Sequence, residues 1–231
     1  MPFNNTNNKP DVAAIIFDCD GVLIDNEHII IKEAVIAMNN IGLNYTQEKY
    51  LAKYLGKTLE VFIKELNAEY TEKFAKAIPE KFIEDLLKNT SHKLNAHPKP
   101  MSNIHNCLQK IHVPIAVASS SAQNRLQSKL SQAGLLATFQ PHVYSGDQVK
   151  RSKPYPDLFL FAADKLNIAP RKCIAIEDSV NGVKSAYAAG MYVVGFTGGS
   201  HCLPGYEKQL KKHGASIIIK DMDQLTLRLN I

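Results

Sequence analysis

Four short polar segments, far apart along the chain, carry residue types that together bind metal ions and phosphate groups. At least three of them follow an apolar run with the character of a buried strand, and the carboxyl ends of parallel strands meet at one edge of a sheet. Gathered at that edge, their carboxylates, hydroxyls and lysine would form a metal site with a nucleophile and a proton shuttle. The segments are Asp18-Cys19-Asp20-Gly21, Ser119-Ser120-Ser121, Lys153-Pro154 and Glu177-Asp178-Ser179.

The two carboxylates of the first segment are two residues apart. Because side chains alternate along an extended chain, Asp18 and Asp20 face the same side and can address one ligand as the strand opens into a loop. Gly21 permits a sharp departure of the backbone there. An Asp-x-Asp pair alone is weak evidence, since a turn or a helix cap also explains it.

Glu177 and Asp178 add a second carboxylate pair after another apolar run. Oxygen ligands suit a hard cation, and Mg²⁺ commonly uses one or two carboxylates plus a substrate phosphate. We expect no histidine or thiolate beside them, so zinc is not indicated. The alternative for this pair alone is the stabilising charge that acidic residues supply at a helix N-terminus.

The serine segment and Lys153 each precede a predicted helix. The Ser119 hydroxyl and free N–H groups at a helix N-terminus would form a phosphate cradle. Ordinary N-capping by a serine run is the alternative. The Lys153 ammonium would neutralise phosphate charge or hold carboxylates together, although a single loop lysine is usually just solvated.

The apolar runs predict a parallel α/β sheet with helices on both faces. Continuous apolar runs indicate strands buried on both sides, and helical patterns separate them, so right-handed crossovers are expected. Predicted helices cover Gln123 to Ala133, Asp157 to Leu166 and Val180 to Ala189. Predicted strands are Val12 to Phe17, Val113 to Ala118, His142 to Tyr144 (the weakest), Cys173 to Ile176, Tyr192 to Phe196 and Ile217 to Ile219.

The stretch from Glu27 to Asn95 differs, because it lacks a convincing buried strand and has helical periodicity throughout. Predicted helices run from Ile29 to Ile41, from Thr58 onward, and from Thr71 to Leu87 with a break or restart at Pro79. We therefore predict a small all-helical domain over residues 27–95, inserted after the first strand. Residues 11–26 and 96–231 would form the core domain, and residues 1–10 a disordered lead-in.

The overall composition narrows the possible classes of protein. The net charge of +5 is modest and scattered, and the densest basic group, Lys150, Arg151 and Lys153, is too short for a nucleic-acid patch. The four cysteines show neither disulfide-framework nor zinc-finger spacing, so reduced thiols in a cytoplasmic protein are expected. No apolar run approaches the roughly 18 residues of a membrane span. We expect neither a nucleic-acid nor a membrane partner.

Taken together, the order and spacing of the motifs resemble one family. The chain is similar to haloacid dehalogenase (HAD) superfamily hydrolases, in the subgroup with a helical cap inserted after the first strand. This resemblance implies a Rossmann-like parallel sheet core with that cap. The segments that carry it run from Ile16 to Glu27, from Ala118 to Ser121, from Ser152 to Phe159 and from Ile176 to Ala186.

The resemblance also implies a mechanism. Asp18 would attack phosphorus to give an aspartyl-phosphate, and Asp20 would protonate the leaving oxygen and later activate water. Ser119, Ser120 and Lys153 would bind the phosphoryl oxygens. An acid is unnecessary for a halide leaving group, so Asp20 indicates phosphate ester or anhydride chemistry. Mg²⁺ would be held by the Asp18 carboxylate, the Asp20 backbone carbonyl and Asp178, with Glu177 close to the ion but farther from it than these ligands.

In this family the cap supplies most substrate contacts, and the candidates here are His28, Lys57 and Thr58, with Lys53 as a further cation. A solvated position on the surface is the alternative for each of them. A cationic cap loop would suit an anionic metabolite, and the sequence is similar to bacterial phosphatases acting on sugar phosphates such as 6-phosphogluconate. We expect a monomer or a weak dimer.

Two alternatives remain open on the sequence. A β-phosphoglucomutase-type mutase shares the core motifs but uses an arginine in the cap turn, where this chain has Leu59. A non-catalytic interaction module with the same fold is the alternative of another class.

The chain also departs from the family at the turn where the cap returns to the core. The usual Pro-Gly pair reads Pro100-Met101 here, which leaves the hinge geometry open.

Overall fold

A computed structural model describes residues 12–54, 59–96 and 98–229. Within these ranges six strands form one sheet in the order β3-β2-β1-β4-β5-β6, with every neighbouring pair parallel. This order and direction confirm the predicted Rossmann-like α/β core. The strands are β1 (Ala14–Phe17), β2 (Ile115–Ser119), β3 (Val143–Ser145), β4 (Cys173–Glu177), β5 (Tyr192–Phe196) and β6 (Ile217–Ile219).

Eleven α-helices accompany the sheet in the same ranges, and the first four follow β1 directly. The helices are α1 (Glu27–Asn40), α2 (Gln47–Tyr54), α3 (Leu59–Phe74), α4 (Phe82–Ala96), α5 (Ile104–Gln109), α6 (Gln123–Gln132), α7 (Leu136–Phe139), α8 (Asp157–Lys165), α9 (Val180–Ala188), α10 (Tyr206–Lys212) and α11 (Asp223–Leu229). None of these helices is long and apolar enough to cross a membrane.

All six predicted strands are present, two with the predicted bounds and the other four with ends shifted by at most two residues. The second begins at Ile115 rather than Val113, because Pro114 has no N–H to donate to a neighbouring strand. Its carbonyl still accepts a hydrogen bond from Ile15 N at 3.0 Å. Pro114 therefore lies immediately before the strand.

Each face of the sheet is buried under helices, which explains why its strands are mostly apolar. In β1, Ile15 and Phe17 belong to one core cluster, whereas Ala14 and Ile16 belong to a second cluster. All four residues have no exposed surface. The alternation of side chains along the strand assigns successive residues to opposite faces.

The helices that follow β1 enclose a third hydrophobic cluster, which includes Met38, Phe62, Leu66, Tyr70 and Phe82. A separate cluster of this kind agrees with an inserted helical cap, whose boundaries at residues 27 and 95 remain a prediction.

The predicted Thr71 to Leu87 helix is interrupted more widely than expected. Helix α3 ends at Phe74 and α4 begins at Phe82. Ala75 adopts a φ of 53°, which right-handed helices exclude, and the Asn67 side chain accepts a hydrogen bond from Ile78 N at 3.1 Å. The disordered lead-in predicted for residues 1–10 lies outside the described residues.

Candidate active site

The sheet register brings the first and last polar segments to the same level. Phe17 is aligned with Ile176 on β4 and with Val117 on β2. Asp18 N donates a hydrogen bond to Ile176 O at 3.0 Å. Asp18 and Glu177 therefore lie at the carboxyl edge of the central strands, where open parallel sheets bind ligands.

Lys153 joins these two carboxylates. Its Nζ lies 2.5 Å from Asp18 Oδ1 and 2.5 Å from Glu177 Oε1. The side chains of Lys153, Asp18 and Glu177 are 5%, 12% and 0% exposed. Burial alone would lower the pKa of Lys153, but the two carboxylates hold that pKa above its ordinary value. The ammonium thus stays charged between two acidic groups.

Burial raises the pKa of all three acidic groups of the site. The pKa of Asp18 rises to about 7, with Lys153 opposing the effect and Glu177 adding to it. The pKa values of Glu177 and Asp178 are raised, again first by burial. Because burial disfavours negative charge here, a further cation would stabilise the ionised carboxylates.

These three carboxylates form a cluster that could hold a metal ion. Asp18, Glu177 and Asp178 each offer one oxygen, and the three oxygens lie within 4.8 Å of one another. Gly21 leaves space beside them, since a Cβ at this position would lie 1.8 Å from Asp178 Oδ2. A compact set of carboxylate oxygens suits a hard divalent cation.

Glu177 is fixed by two groups besides Lys153. Its Oε2 accepts hydrogen bonds from Ser179 Oγ at 3.1 Å and from Ser179 N at 3.3 Å. Ser179 is also the N-cap of α9, where its Oγ accepts a hydrogen bond from Gly182 N at 3.0 Å. The start of α9 therefore positions the carboxylate, and a Cβ at Gly182 would lie 1.9 Å from Glu177.

Replacing Gly182 by alanine should destabilise the protein, although alanine in a helix is usually better than glycine by about 1 kcal/mol. The added methyl group would displace the buried Glu177 carboxylate from Lys153. We expect the free energy of unfolding to fall by about 1–3 kcal/mol, as measured by urea denaturation. The adjacent Asn181→Ala variant is the control and should lose less. A Gly182→Ala protein as stable as the wild type would show that Glu177 is not held as described.

The Asp20 carboxylate binds Lys129 and Ser121 rather than Lys153. Lys129 Nζ lies 2.6 Å from both Asp20 carboxylate oxygens. The Ser121 hydroxyl donates a hydrogen bond to Asp20 Oδ2 at 2.9 Å. Burial opposes the Lys129 charge, but the Asp20 carboxylate raises the pKa of Lys129 above its ordinary value. Asp20 is thus held beside the acidic cluster by a lysine and a hydroxyl.

The serine segment does not cap the following helix. Helix α6 has Ala122 at its N-cap position, with no side-chain capping bond. Ser119 is buried, and its Oγ accepts a hydrogen bond from Ser121 N at 3.1 Å. Ser120 is exposed, with its Oγ 3.1 Å from Ser152 Oγ. The N-capping alternative therefore does not account for these serines.

His201 is a neighbour of the site that the sequence interpretation missed. Its Nε2 lies 2.9 Å from Asp178 Oδ2, and Cys202 Sγ lies 3.4 Å from the same nitrogen. Burial alone would lower the pKa of His201, but the bond to Asp178 raises it to about 11. The expectation of no histidine beside the acidic pair is wrong, because the loop after β5 reaches the same sheet edge as the loop after β4. The available signal was the Gly198-Gly199-Ser200 sequence after a predicted strand.

Lys129 was also missed, although its position in the sequence carried a signal. It lies three residues after Leu126 and next to Leu130 in α6, and all three are buried. A lysine on the apolar side of an amphipathic helix needs a partner of opposite charge, and that partner is Asp20.

The structure describes two of the four predicted cap residues. His28 is half-buried in α1, and Lys53 binds Glu69 with an Nζ to Oε2 distance of 2.6 Å. Lys57 and Thr58 lie outside the described residues. Where the chain comes back to the core after α4, its backbone pairs with the segment that follows β1. Ile24 forms a β-bridge with Pro100, and Met101 N donates a hydrogen bond to Leu23 O at 2.8 Å.

The sheet and the polar groups at its carboxyl edge define an α/β protein with a buried acidic site. A family model described as haloacid dehalogenase-like hydrolase matches residues 15–196, and the chain belongs to this family of hydrolases. The resemblance found in the four motifs is thereby confirmed.

Several relatives cover most of the chain. A 6-phosphogluconate phosphatase of Escherichia coli (strain K12) is 28% identical over 193 residues, which span 84% of this chain and 86% of that protein. A phosphorylated carbohydrates phosphatase of Thermotoga maritima is 29% identical over 185 residues, or 78% of this chain and 82% of the relative. The crystal structure of a haloacid dehalogenase-like protein of unknown function from Agrobacterium tumefaciens superposes with a TM-score of 0.87 at 30% identity, covering 95% of this chain and 98% of that one.

Proposed function

We propose that the protein is a Mg²⁺-dependent phosphomonoesterase that acts on a small phosphorylated metabolite through an aspartyl-phosphate intermediate. The substrate would be a sugar phosphate such as 6-phosphogluconate. The observation that carries this proposal is Lys153, buried between Asp18 and Glu177 with Asp178 close by. Relatives that act on phosphorylated carbohydrates support the substrate class, and the free cysteines agree with a cytoplasmic protein.

Asp18 is the proposed nucleophile. An ionised carboxylate needs no activating base, and Lys153, at 2.5 Å, favours its ionised form. The Lys153 ammonium and the hydroxyl groups of Ser119 and Ser120 would bind the oxygens of the transferring phosphoryl group. Cations and hydrogen-bond donors fixed in advance stabilise the charge of such a transition state.

Mg²⁺ fits the acidic cluster by the chemistry of its oxygens. Asp18 and Asp178 would hold the ion together with the Asp20 backbone carbonyl. Glu177 already binds Lys153 with one oxygen and Ser179 with the other, which supports a position close to the ion but without a direct bond to it. The bound ion would neutralise negative charge on the phosphoryl group and on the carboxylates.

Asp20 is the proposed general acid and base. Lys129 and Ser121 orient its carboxylate, so that it can give a proton to the leaving oxygen and take one from the attacking water. This orientation depends on side chains of α6 and its preceding loop, outside the Asp18 and Glu177 cluster.

Asp20→Asn should reduce kcat/KM for a sugar phosphate by about 10²–10⁴-fold, the usual size of general acid–base assistance. Nitrophenolate is a much better leaving group, so kcat/KM for p-nitrophenyl phosphate should fall less. Steady-state assays of both substrates measure this, with exposed Asp164→Asn as the control. Equal losses for the two substrates would contradict the acid role.

Phosphate release from a panel of phosphomonoesters tests the proposed activity. The panel contains p-nitrophenyl phosphate, hexose phosphates, 6-phosphogluconate, nucleotides and β-glucose 1-phosphate, each with Mg²⁺ and with EDTA. Phosphate release that requires Mg²⁺ and is fastest with sugar phosphates supports the proposed phosphatase. Conversion of β-glucose 1-phosphate into the 6-phosphate without release would instead support the mutase alternative.

A further inference from the structure

A cavity lies between the helices after β1 and helix α6, beside Asp20. Its volume is about 200 Å³, smaller than the roughly 300–1,000 Å³ of pockets for drug-sized ligands, so it suits a small metabolite. Ile30 and Leu94 form an apolar wall, and Ser91, Arg125 and Lys129 supply polar groups.

The two cations of this cavity are not equivalent. Lys129 is 11% exposed and its charge is balanced by Asp20 at 2.6 Å. Arg125 is exposed, and its backbone N donates a hydrogen bond to Asn124 Oδ1. Within the described residues, no hydrogen bond or ion pair involves its guanidinium. Among the residues that the structure describes, the cavity therefore has one positive charge with no carboxylate paired to it.

We infer that Arg125 is a specificity-determining residue. It binds a second anionic group on the leaving group of the substrate, which is the alcohol portion that Asp20 protonates. The ligand class is a phosphate ester whose alcohol portion carries a carboxylate or another phosphate. A planar guanidinium binds either group through paired hydrogen bonds. Ser91 would contact hydroxyl groups between the two charged ends of the ligand.

The position of the cavity decides which end of the substrate it receives. Asp20 and Ser121 line it, whereas Asp18, Lys153 and Glu177 do not. The transferring phosphoryl group belongs with the Asp18 cluster, so the cavity holds the leaving group. This subsite rests on the proposed function, because Asp20 marks the leaving-group side only if it acts on that oxygen.

A matched pair of ligands tests the subsite by binding rather than by turnover. 6-Phosphogluconate and sorbitol 6-phosphate differ only at carbon 1, which is a carboxylate in the first and a neutral hydroxymethyl group in the second. Titration calorimetry on the Asp18→Asn protein with Mg²⁺ gives both dissociation constants without hydrolysis. We expect 6-phosphogluconate to bind about tenfold more tightly, equivalent to about 1.4 kcal/mol. Arg125→Gln in the same background should remove this preference, and Arg125→Lys should keep part of it.

Arg171→Gln is the matched control, since it removes the same charge at the amino end of β4, opposite the site. Fructose 1,6-bisphosphate against fructose 1-phosphate tests a second phosphate in the same way. The subsite is supported if Arg125→Gln loses the preference for the ligand with the second anionic group and Arg171→Gln keeps it. The ligand pair that shows this preference identifies the anion as a carboxylate or a phosphate. Equal binding within both pairs, or a preference that survives Arg125→Gln, overturns the subsite. Absence of phosphate release by the wild type contradicts the phosphatase instead, so the two failures are distinguishable.

Discussion

Replacing Asp18 by asparagine is expected to abolish phosphate release while leaving the protein folded. Asparagine has nearly the same shape but cannot form the aspartyl-phosphate, so turnover should fall by at least about 10⁴-fold, as when other covalent nucleophiles are removed. The fold raises the pKa of Asp18 to about 7 through burial, which means that its negative charge is unfavourable in the folded state. Lys153 keeps its ion pair with Glu177 in this variant, so the protein should still fold and show a cooperative melting transition.

The comparison needs phosphate release and thermal unfolding measured on the same samples, with mass spectrometry to exclude deamidation back to aspartate. Substantial activity in a variant free of deamidation would remove Asp18 from the nucleophile role. A variant that is inactive because it is unfolded would be recognised by its melting curve.

Lys153→Met should remove activity and also destabilise the protein. Methionine fills a similar volume but leaves the Asp18 and Glu177 carboxylates, 12% and 0% exposed, without their shared cation. Loss of one partner from a buried ion pair costs about 3–5 kcal/mol. We expect a loss of that size in the free energy of unfolding at pH 8, as measured by urea denaturation.

The pH dependence of this loss has a defined sign. Without Lys153, the pKa values of both carboxylates in the folded state rise further, so the folded protein gains protons more readily than the unfolded chain. The destabilisation is therefore full at high pH and shrinks as the pH falls and the carboxylates become neutral. The control is Lys150→Met, at an exposed position three residues earlier. A Lys153→Met loss that does not change with pH, or that Lys150→Met reproduces, would contradict the buried ion pairs.

The proximity of the acidic residues was predictable because Asp18 and Glu177 follow strands that continuous apolar runs mark clearly in the sequence. Asp18 and Glu177 come after apolar runs, and the parallel register aligns Phe17 with Ile176. The weaker candidate over His142 to Tyr144, between the strands now labelled β2 and β4, is also present as β3. The sheet edge could therefore be reconstructed from the sequence.

The partners of Asp20 and Asp178 could not be predicted in the same way. Lys129 reaches Asp20 from the second turn of a helix, and His201 reaches Asp178 from the loop after β5. Such contacts depend on how helices and loops pack on the sheet, which local periodicity does not determine. The break over residues 75–81 has a similar cause, because Ala75 in the left-handed region and the Asn67 bond to Ile78 N depend on specific backbone geometry.

The most direct test of the account is to trap the phosphorylated form of Asp18. The Asp20→Asn variant should form the intermediate from p-nitrophenyl phosphate, whose leaving group needs no acid, but hydrolyse it slowly because the base is missing. We predict a burst of nitrophenolate equal to the enzyme concentration, and acid-quenched peptide mapping should place one phosphoryl group on Asp18. Steady turnover with no burst, or a phosphoryl group on another residue, would contradict the account.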